Sequence, residues 1–179
     1  MTPQQQAFVS PFCAACLQWE ASTEQPYKRQ ISIVTVAQAV LETGWGASSL
    51  SKPPINNYGG IKYHLRQWPA YSVQTREVIS GESQVVPGTF QTYPTVADYI
   101  ADHAAILTQW QCVRDVLGLG LAALCEALGP WTDEDRKTPN PSHANYSTDP
   151  NYPNTLMKII NQLGLTDPTK IEQYAAMSA

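Results

Sequence analysis

A carboxylic acid at the end of an apolar helix is poorly placed for solubility and well placed for chemistry. Glu42 is such a group. Ile33, Val36, Ala37, Val40 and Leu41 recur at helical spacing over residues 32–43. Gly44 and Gly46 then end the helix. Apolar surroundings disfavour the ionised carboxylate, and the partial negative charge of a helix C-terminus pushes the same way. A carboxyl held protonated near neutral pH can give its proton to a leaving oxygen, which is what cleavage of a glycosidic bond requires. A Glu that caps a loop or pairs with a nearby Arg would fit the same position, and the residue pattern alone leaves both readings open.

The elements that must position this acid are mostly helical. A first helical region runs over residues 3–20, capped by Thr2, opened by Pro3, and bent or split by Pro11. Residues 51–71 are rich in Pro, Asn, Gly, Tyr and Trp and read as an irregular loop. Residues 72–79 and 83–93 read as two strands around Ser80-Gly81-Glu82, the one good hairpin candidate. Thr95 and Asp98 form an approximate capping box ahead of a helix with Tyr99, Ile100, Ala104, Leu107 and Trp110 on one side. Another helix is expected over residues 112–128, stopped by Gly129-Pro130, and a loop over residues 131–146. Asp149-Pro150 opens a last long helix with a stripe of Leu156, Ile159, Ile160 and Leu163, closed by Gly164. These elements make a mainly α (α+β) chain with a small β-lobe over about residues 56–93, and its 179 residues suit one domain.

The bulk numbers exclude some classes. A net charge of −4, with eleven scattered Lys and Arg, argues against nucleic acid as a partner. No stretch approaches the roughly 18 apolar residues of a membrane span, so membrane insertion is not expected. The N-terminal MTPQQQ lacks the basic and apolar regions of a secretory leader. Cys13-x-x-Cys16 invites a zinc or redox reading, but Cys112 and Cys125 form no second such pair. Small apolar packing and disulfides are the alternatives. His64, His103 and His143 show no ligand spacing, so neither metal nor cofactor is expected, and a surface position suits His143. Trp45 and Trp110 read as core residues.

The segment AQAVLETGWG at residues 37–46 is similar to the AQA-x-LE[ST]GWG signature of the bacterial glucosaminidases, glycoside hydrolase family 73. Three further segments follow in the family's order. NNYGGIK at residues 56–62 resembles the NN-L-F-G-I-K loop, with Tyr58-Gly59 where Leu-Phe is usual. TFQTY at residues 89–93, with Ala97-Asp98-Tyr99, resembles the FR-x-Y segment and the helix after it. YSTDPNY at residues 146–152 resembles the late Y-A-T-D-P-x-Y motif. The similarity runs over about residues 4–165.

This resemblance implies a lysozyme-like fold, with a helical lobe, a small β-hairpin lobe and a cleft between them. It implies cleavage of the β-1,4 bond after N-acetylglucosamine in peptidoglycan, with Glu42 as general acid. On the β-lobe, Thr75-Arg76-Glu77 stands where related enzymes carry a second carboxylate. Strand alternation puts Glu77 on one face with Val73, Thr75 and Ile79. Glu82 is its rival at the turn, and a solvated pairing of Glu77 with Arg76 or Lys62 is the alternative. The family's matching Tyr places Tyr146 beside the substrate's N-acetyl group, where a phenol can orient the acetamide; an aromatic plug before the last helix is the other reading. Asn57, Tyr58 and Trp68, with Tyr152 of the late motif, are the expected sugar contacts, because aromatic plates and amides suit the faces and edges of sugars.

Two other readings compete. A lytic transglycosylase or muramidase shares the architecture, but the ES…GLMQ pattern of the transglycosylases is replaced by Gly60-Ile61-Lys62. A non-catalytic peptidoglycan-binding lobe is the third reading, and retention of Glu42 argues against it. The expected partner is the peptidoglycan glycan strand, met as a monomer in the cell wall or periplasm. Without a leader, the chain would arrive by phage-type release or by another export route.

Overall fold

The computed structural model describes residues 1–79 and 82–178; the side chains of residues 76–79 and 83 lie outside the described residues, as does the Ser80-Gly81 turn. The elements are α1 (Pro3–Ser22), α2 (Lys28–Thr43), β1 (Ala70–Ile79), β2 (Glu82–Gln91), α3 (Val96–Gln109), α4 (Gln111–Val116), α5 (Leu121–Ala127), α6 (Tyr152–Gln162) and α7 (Lys170–Ala176), with short 3₁₀ turns at Ser49–Ser51 and Asp135–Lys137. The fold is α+β: among the described residues, a helical body with one two-stranded antiparallel sheet.

α2 is the axle. Every residue from Ile31 through Val40 is buried, so the helix is covered all round rather than amphipathic. α1 and α3 pack on it, as do α5 and α6. Each large apolar side chain sealed here contributes about 1.5–3 kcal/mol relative to exposure. The polar residues inside α2 are of interest because burial obliges them to find partners. Thr35 and Gln38 both do, and both lead to the site. At the end of α2, Gly44 adopts a left-handed φ of 55° and its N–H closes onto Leu41 and Val40 carbonyls. Gly46 (φ 78°) is required for a second reason: a Cβ there would stand 2.5 Å from the Phe8 ring.

The hairpin is fastened to the body at its base. Asn57 Nδ2 donates to the carbonyls of Ile61 (2.8 Å) and Gln91 (2.9 Å), and its Oδ1 accepts from Ile61 N–H at 2.9 Å. Asn56 Nδ2 donates to Tyr93 O at 2.9 Å. Asp102 of α3 receives the Tyr93 hydroxyl at 2.6 Å and lies 3.1 Å from His64 Nε2. β1 and β2 run in register from Ala70 opposite Gln91 to Ile79 opposite Glu82.

Several sequence expectations need correction. α1 is one unbroken helix through Pro11, with Thr2 and Gln5 completing a capping box at its start. The helix expected over residues 112–128 is two, α4 and α5. Gly118 (φ 91°) and Gly120 (φ 115°) turn the chain between them, a conformation that apolar periodicity does not report. β2 ends at Gln91, two residues early. α7 was not anticipated; it packs along α1 and is tied to α2 through Arg29, which bridges Glu20 at 2.9 Å and Glu172 at 2.7 Å. The four cysteines are buried free thiols, and burial pushes Cys13 and Cys125 up to about 12. They pack as small apolar groups. His143 is not a surface side chain: it is half-buried, with Nδ1 2.7 Å from Asp135.

Candidate active site

Glu42 occupies the last turn of α2, open to solvent. Burial of its surroundings raises its pKa above the ordinary carboxylate range, and the hydrogen bond from Tyr152 offsets part of that rise. The acid is therefore exposed to solvent yet partly desolvated by the protein around it.

Two tyrosines from the segment after α5 close in on the acid. Tyr152, the first residue of α6, places its hydroxyl 3.4 Å from Glu42 Oε1. That hydroxyl also receives a 2.9 Å hydrogen bond from Gln38 Nε2, one turn earlier on α2. Tyr146 stacks on Tyr152, with ring centroids 6.0 Å apart and planes inclined by 25°. Burial and the nearby Glu42 charge both raise the Tyr146 phenol, so it stays protonated across the working range.

Behind Tyr146 stands His103, a residue that sequence reasoning left without a role. It is fully buried on α3. Its Nε2 lies 3.3 Å from the Tyr146 hydroxyl, and its Nδ1 lies 3.1 Å from Thr35 Oγ1. Desolvation drops its pKa to about 3, so the ring is neutral. Among the described residues Thr35 has no other hydrogen-bond partner. A buried hydroxyl proton must go somewhere, and Nδ1 is the acceptor in reach. That leaves the proton on Nε2, facing the Tyr146 oxygen, so the phenol accepts from His103 and its own proton points away from the imidazole.

The rings form a continuous row. Phe12 meets Tyr58 at 5.1 Å, Tyr58 meets Tyr99 at 5.2 Å, Tyr99 meets His103 at 5.4 Å and His103 meets Tyr146 at 6.1 Å. The loop at residues 56–61 supplies Tyr58 to this row and sets Gly59 against its hydroxyls. A Cβ on Gly59 would stand 2.8 Å from the Tyr99 hydroxyl and 3.3 Å from that of Tyr146, so glycine lets the backbone lie directly over the two phenols.

The other expected site residues fall in different places. Asn57 is buried with its amide committed to the loop and β2, where it shapes the loop. Tyr58 is buried within the aromatic row. Trp68 is half-buried and packs edge-on to Tyr93 at 5.5 Å. Glu77 lies on β1 opposite Gln84, its side chain outside the described residues, and Glu82 is exposed at the start of β2. Among the described residues two hollows of the surface lie elsewhere. One is walled by Trp110 and Trp131 and another by Pro53, Tyr71 and Pro94. Glu42 lines neither of them and is singled out on its chemistry alone. Among the described residues no group of three or more His, Cys, Asp or Glu side chains could hold a metal ion.

A helical body with a small hairpin and a raised carboxyl at the open end of its central helix defines an α+β protein with one candidate acid. Residues 21–165 match the glucosaminidase family, described as mannosyl-glycoprotein endo-beta-N-acetylglucosaminidase, and the chain belongs to that family. It is 33% identical over 138 residues to an autolysin of Enterococcus faecalis, an alignment covering 74% of this chain and 17% of the relative. It is 28% identical over 145 residues to a "Probable N-acetylmuramidase" of Lactococcus lactis, covering 74% of this chain and 29% of that one. The chain thus spans under a third of either relative. In fold it is similar to the catalytic domain of a Listeria monocytogenes autolysin, with a TM-score of 0.71 at 21% identity, covering 94% of this chain and 89% of that one. It also resembles a peptidoglycan hydrolase of Sphingomonas sp. A1, with a TM-score of 0.64 at 26% identity, covering 91% and 97%.

Proposed function

We propose that this chain is one catalytic unit that hydrolyses the β-1,4 bond following N-acetylglucosamine in peptidoglycan, with Glu42 as general acid. The observation that carries the reading is the Glu42 carboxyl itself: open to solvent, raised by the burial around it and touched by Tyr152. Family membership and relatives named as autolysins support the substrate class. Names alone do not fix the bond, because a relative called a muramidase matches as well.

In the proposed reaction Glu42 gives its proton to the glycosidic oxygen as the bond from that oxygen to the anomeric carbon breaks. The electron-poor carbon is then met in one of two ways. Water attacks directly, losing its proton to Glu77. Alternatively the substrate's own acetamide oxygen bonds to the carbon, and water later opens that ring while a proton returns to Glu42. A Tyr146 phenol that accepts from His103 keeps its own proton to donate to an acetamide, which supports the second route. Asn57, Tyr58 and Trp68 are proposed to shape the sugar groove, and Tyr152 to line it. The protein is proposed to act on the cell wall as a monomer, without nucleic acid or membrane insertion; no helix among the described residues is long and apolar enough to cross a membrane.

The test is digestion of purified peptidoglycan with product identification by mass spectrometry. A new reducing N-acetylglucosamine end supports the assignment. A reducing N-acetylmuramic acid end, or an anhydro-muramoyl end, rejects it in favour of a muramidase or a transglycosylase. Binding without any cleavage would mean a non-catalytic wall-binding lobe.

A further inference from the structure

Residues 130–143 leave the body after α5 and return just before Tyr146. Three hydrogen bonds close the base of this excursion. Ala144 N–H donates to Ala127 O at 2.6 Å, Asn145 N–H to Gly129 O at 3.0 Å, and Trp131 N–H to Asn145 Oδ1 at 3.1 Å. Its centre is pinned by the Asp135 carboxylate, whose side chain is 2% exposed. Asp135 accepts from Thr132 N–H and Oγ1, both at 2.8 Å, from Ser142 N–H and Oγ at 2.5 and 2.8 Å, and lies 2.7 Å from His143 Nδ1. Burial alone would raise this carboxyl, but the Thr132 and Ser142 hydrogen bonds together hold it well below the usual carboxylate range. A loop so constrained is built before any ligand arrives.

The excursion walls a hollow of about 390 Å³ against the end of α3, within the roughly 300–1,000 Å³ range of small-molecule sites. Trp110 and Trp131 line it, with Pro139, Pro141, Gln109 and Asn140. The Trp131 indole is fixed by its Nε1–H bond to His143 O at 2.9 Å. Indole rings and amide groups lining one hollow match a pyranose, which offers C–H faces and a rim of hydroxyl and acetamide groups.

Position relates the hollow to the acid. Trp110 caps the C-terminal end of α3, seven residues after His103, a separation of roughly 10 Å at 1.5 Å per residue. His103 touches Tyr146, and the excursion itself runs from the hollow to Tyr146. We propose that the Trp110–Trp131 hollow is a distal subsite that holds an N-acetylated sugar of the same glycan strand, away from the bond being cut. The inference rests on the glycosidase reading above.

The test uses the full chain carrying Glu42→Gln, titrated with N-acetylglucosamine oligomers of increasing length. Binding is followed by calorimetry and by the indole N–H resonances of Trp110 and Trp131. Longer oligomers are expected to bind more tightly than the disaccharide and to shift both resonances. Trp131→Ala should weaken binding of the longest oligomer about 3- to 10-fold and leave the disaccharide unchanged. If Trp131→Ala does not fold, the exposed pair Gln109→Ala and Asn140→Ala takes its place. Unmoved indole resonances, an equal loss for short and long oligomers, or a shift caused by stem peptide and not by sugar would each overturn the proposal. Cleavage of peptidoglycan by the unaltered protein is read separately. Its failure would reject the enzymatic reading, while cleavage with unmoved indoles would reject the subsite alone.

Discussion

The hydroxyl of Tyr152 stands between Gln38 and Glu42, receiving a hydrogen bond from the first at 2.9 Å and reaching the second at 3.4 Å. Gln38 and Glu42 are four residues apart on α2, so one face of the central helix presents both an amide and an acid to one phenol. The phenol's proton is directed to the acid because the amide has already supplied a donor. The bond to Glu42 is long, so it moderates the carboxyl's raised pKa without cancelling it.

Glu42→Gln should lower the rate of peptidoglycan cleavage by about 10²–10⁴-fold, the usual contribution of a general acid. The sign of its stability effect follows from linkage. A carboxyl whose folded pKa is raised has its stabilising contribution intact below its unfolded pKa, and loses it as pH rises through the folded value. Glu42→Gln should therefore match the wild-type Tm in acid and exceed it near neutrality. Calorimetric melting of both proteins across pH checks this, and a lower Tm at neutral pH would contradict it.

Tyr152→Phe removes the hydrogen bond that holds the Glu42 pKa down. The basic limb of the pH–rate profile, which tracks loss of the acid's proton, should move to higher pH. Gln38 also loses its partner, and a buried unpaired amide costs about 1–3 kcal/mol. A profile that stays in place while stability falls would mean that the phenol is structural only.

His103 and Tyr146 should act as a pair. If the imidazole works by turning the phenol's proton outward, His103→Gln impairs turnover in the native background and adds little once Tyr146→Phe is present. A double-mutant cycle on kcat should give a coupling of about 0.5–3 kcal/mol. Additive losses would separate the two residues.

The same histidine should make the fold acid-sensitive. Its folded pKa of about 3 lies far below its ordinary 6.5, so the unfolded chain binds a proton that the folded chain refuses. The stability it contributes is present above about 6.5 and is lost toward 3, by about 1.4 kcal/mol for each pH unit in between. Denaturant unfolding of wild type and His103→Gln from pH 7 to 4 measures the difference. Two parallel curves would mean that the ring is not held neutral.

Glu77→Gln distinguishes the two proposed routes. If its carboxylate takes the proton from water, activity should fall by a factor similar to that for Glu42→Gln. If the acetamide makes the attack, the variant should cleave at nearly the wild-type rate and Tyr146→Phe should be the more damaging change. Turnover of the three variants on one peptidoglycan preparation decides between them.

Much of this was legible in the residues. Helical spacing around Ile33, Val36 and Val40, ended by Gly44, placed Glu42 at the close of an apolar helix, and the structure has it there. The Thr95 and Asp98 capping box and the antiparallel hairpin were also readable, because caps and alternation are local properties. The break between α4 and α5 was not. Leu117 and Leu119 keep the apolar pattern going, while the left-handed turns at Gly118 and Gly120 belong to backbone dihedrals that no pattern reports.

By itself, then, the order of residues determined where the Glu42 carboxyl stands, the helix that carries it and the helical character of the body, since each depends on neighbours within a few turns. Only the tertiary structure decided what the acid meets. Tyr152 comes from 110 positions away, and His103 reaches Thr35 across 68 and Tyr146 across 43. It also turned Asn57 and Tyr58 inward, to a loop fastening and an aromatic row, where composition had suggested sugar contacts. The physical reason is that a hydrogen bond or a ring contact is a relation between surfaces. Which surfaces meet is fixed when the helices pack, and spacing along one segment carries no record of it.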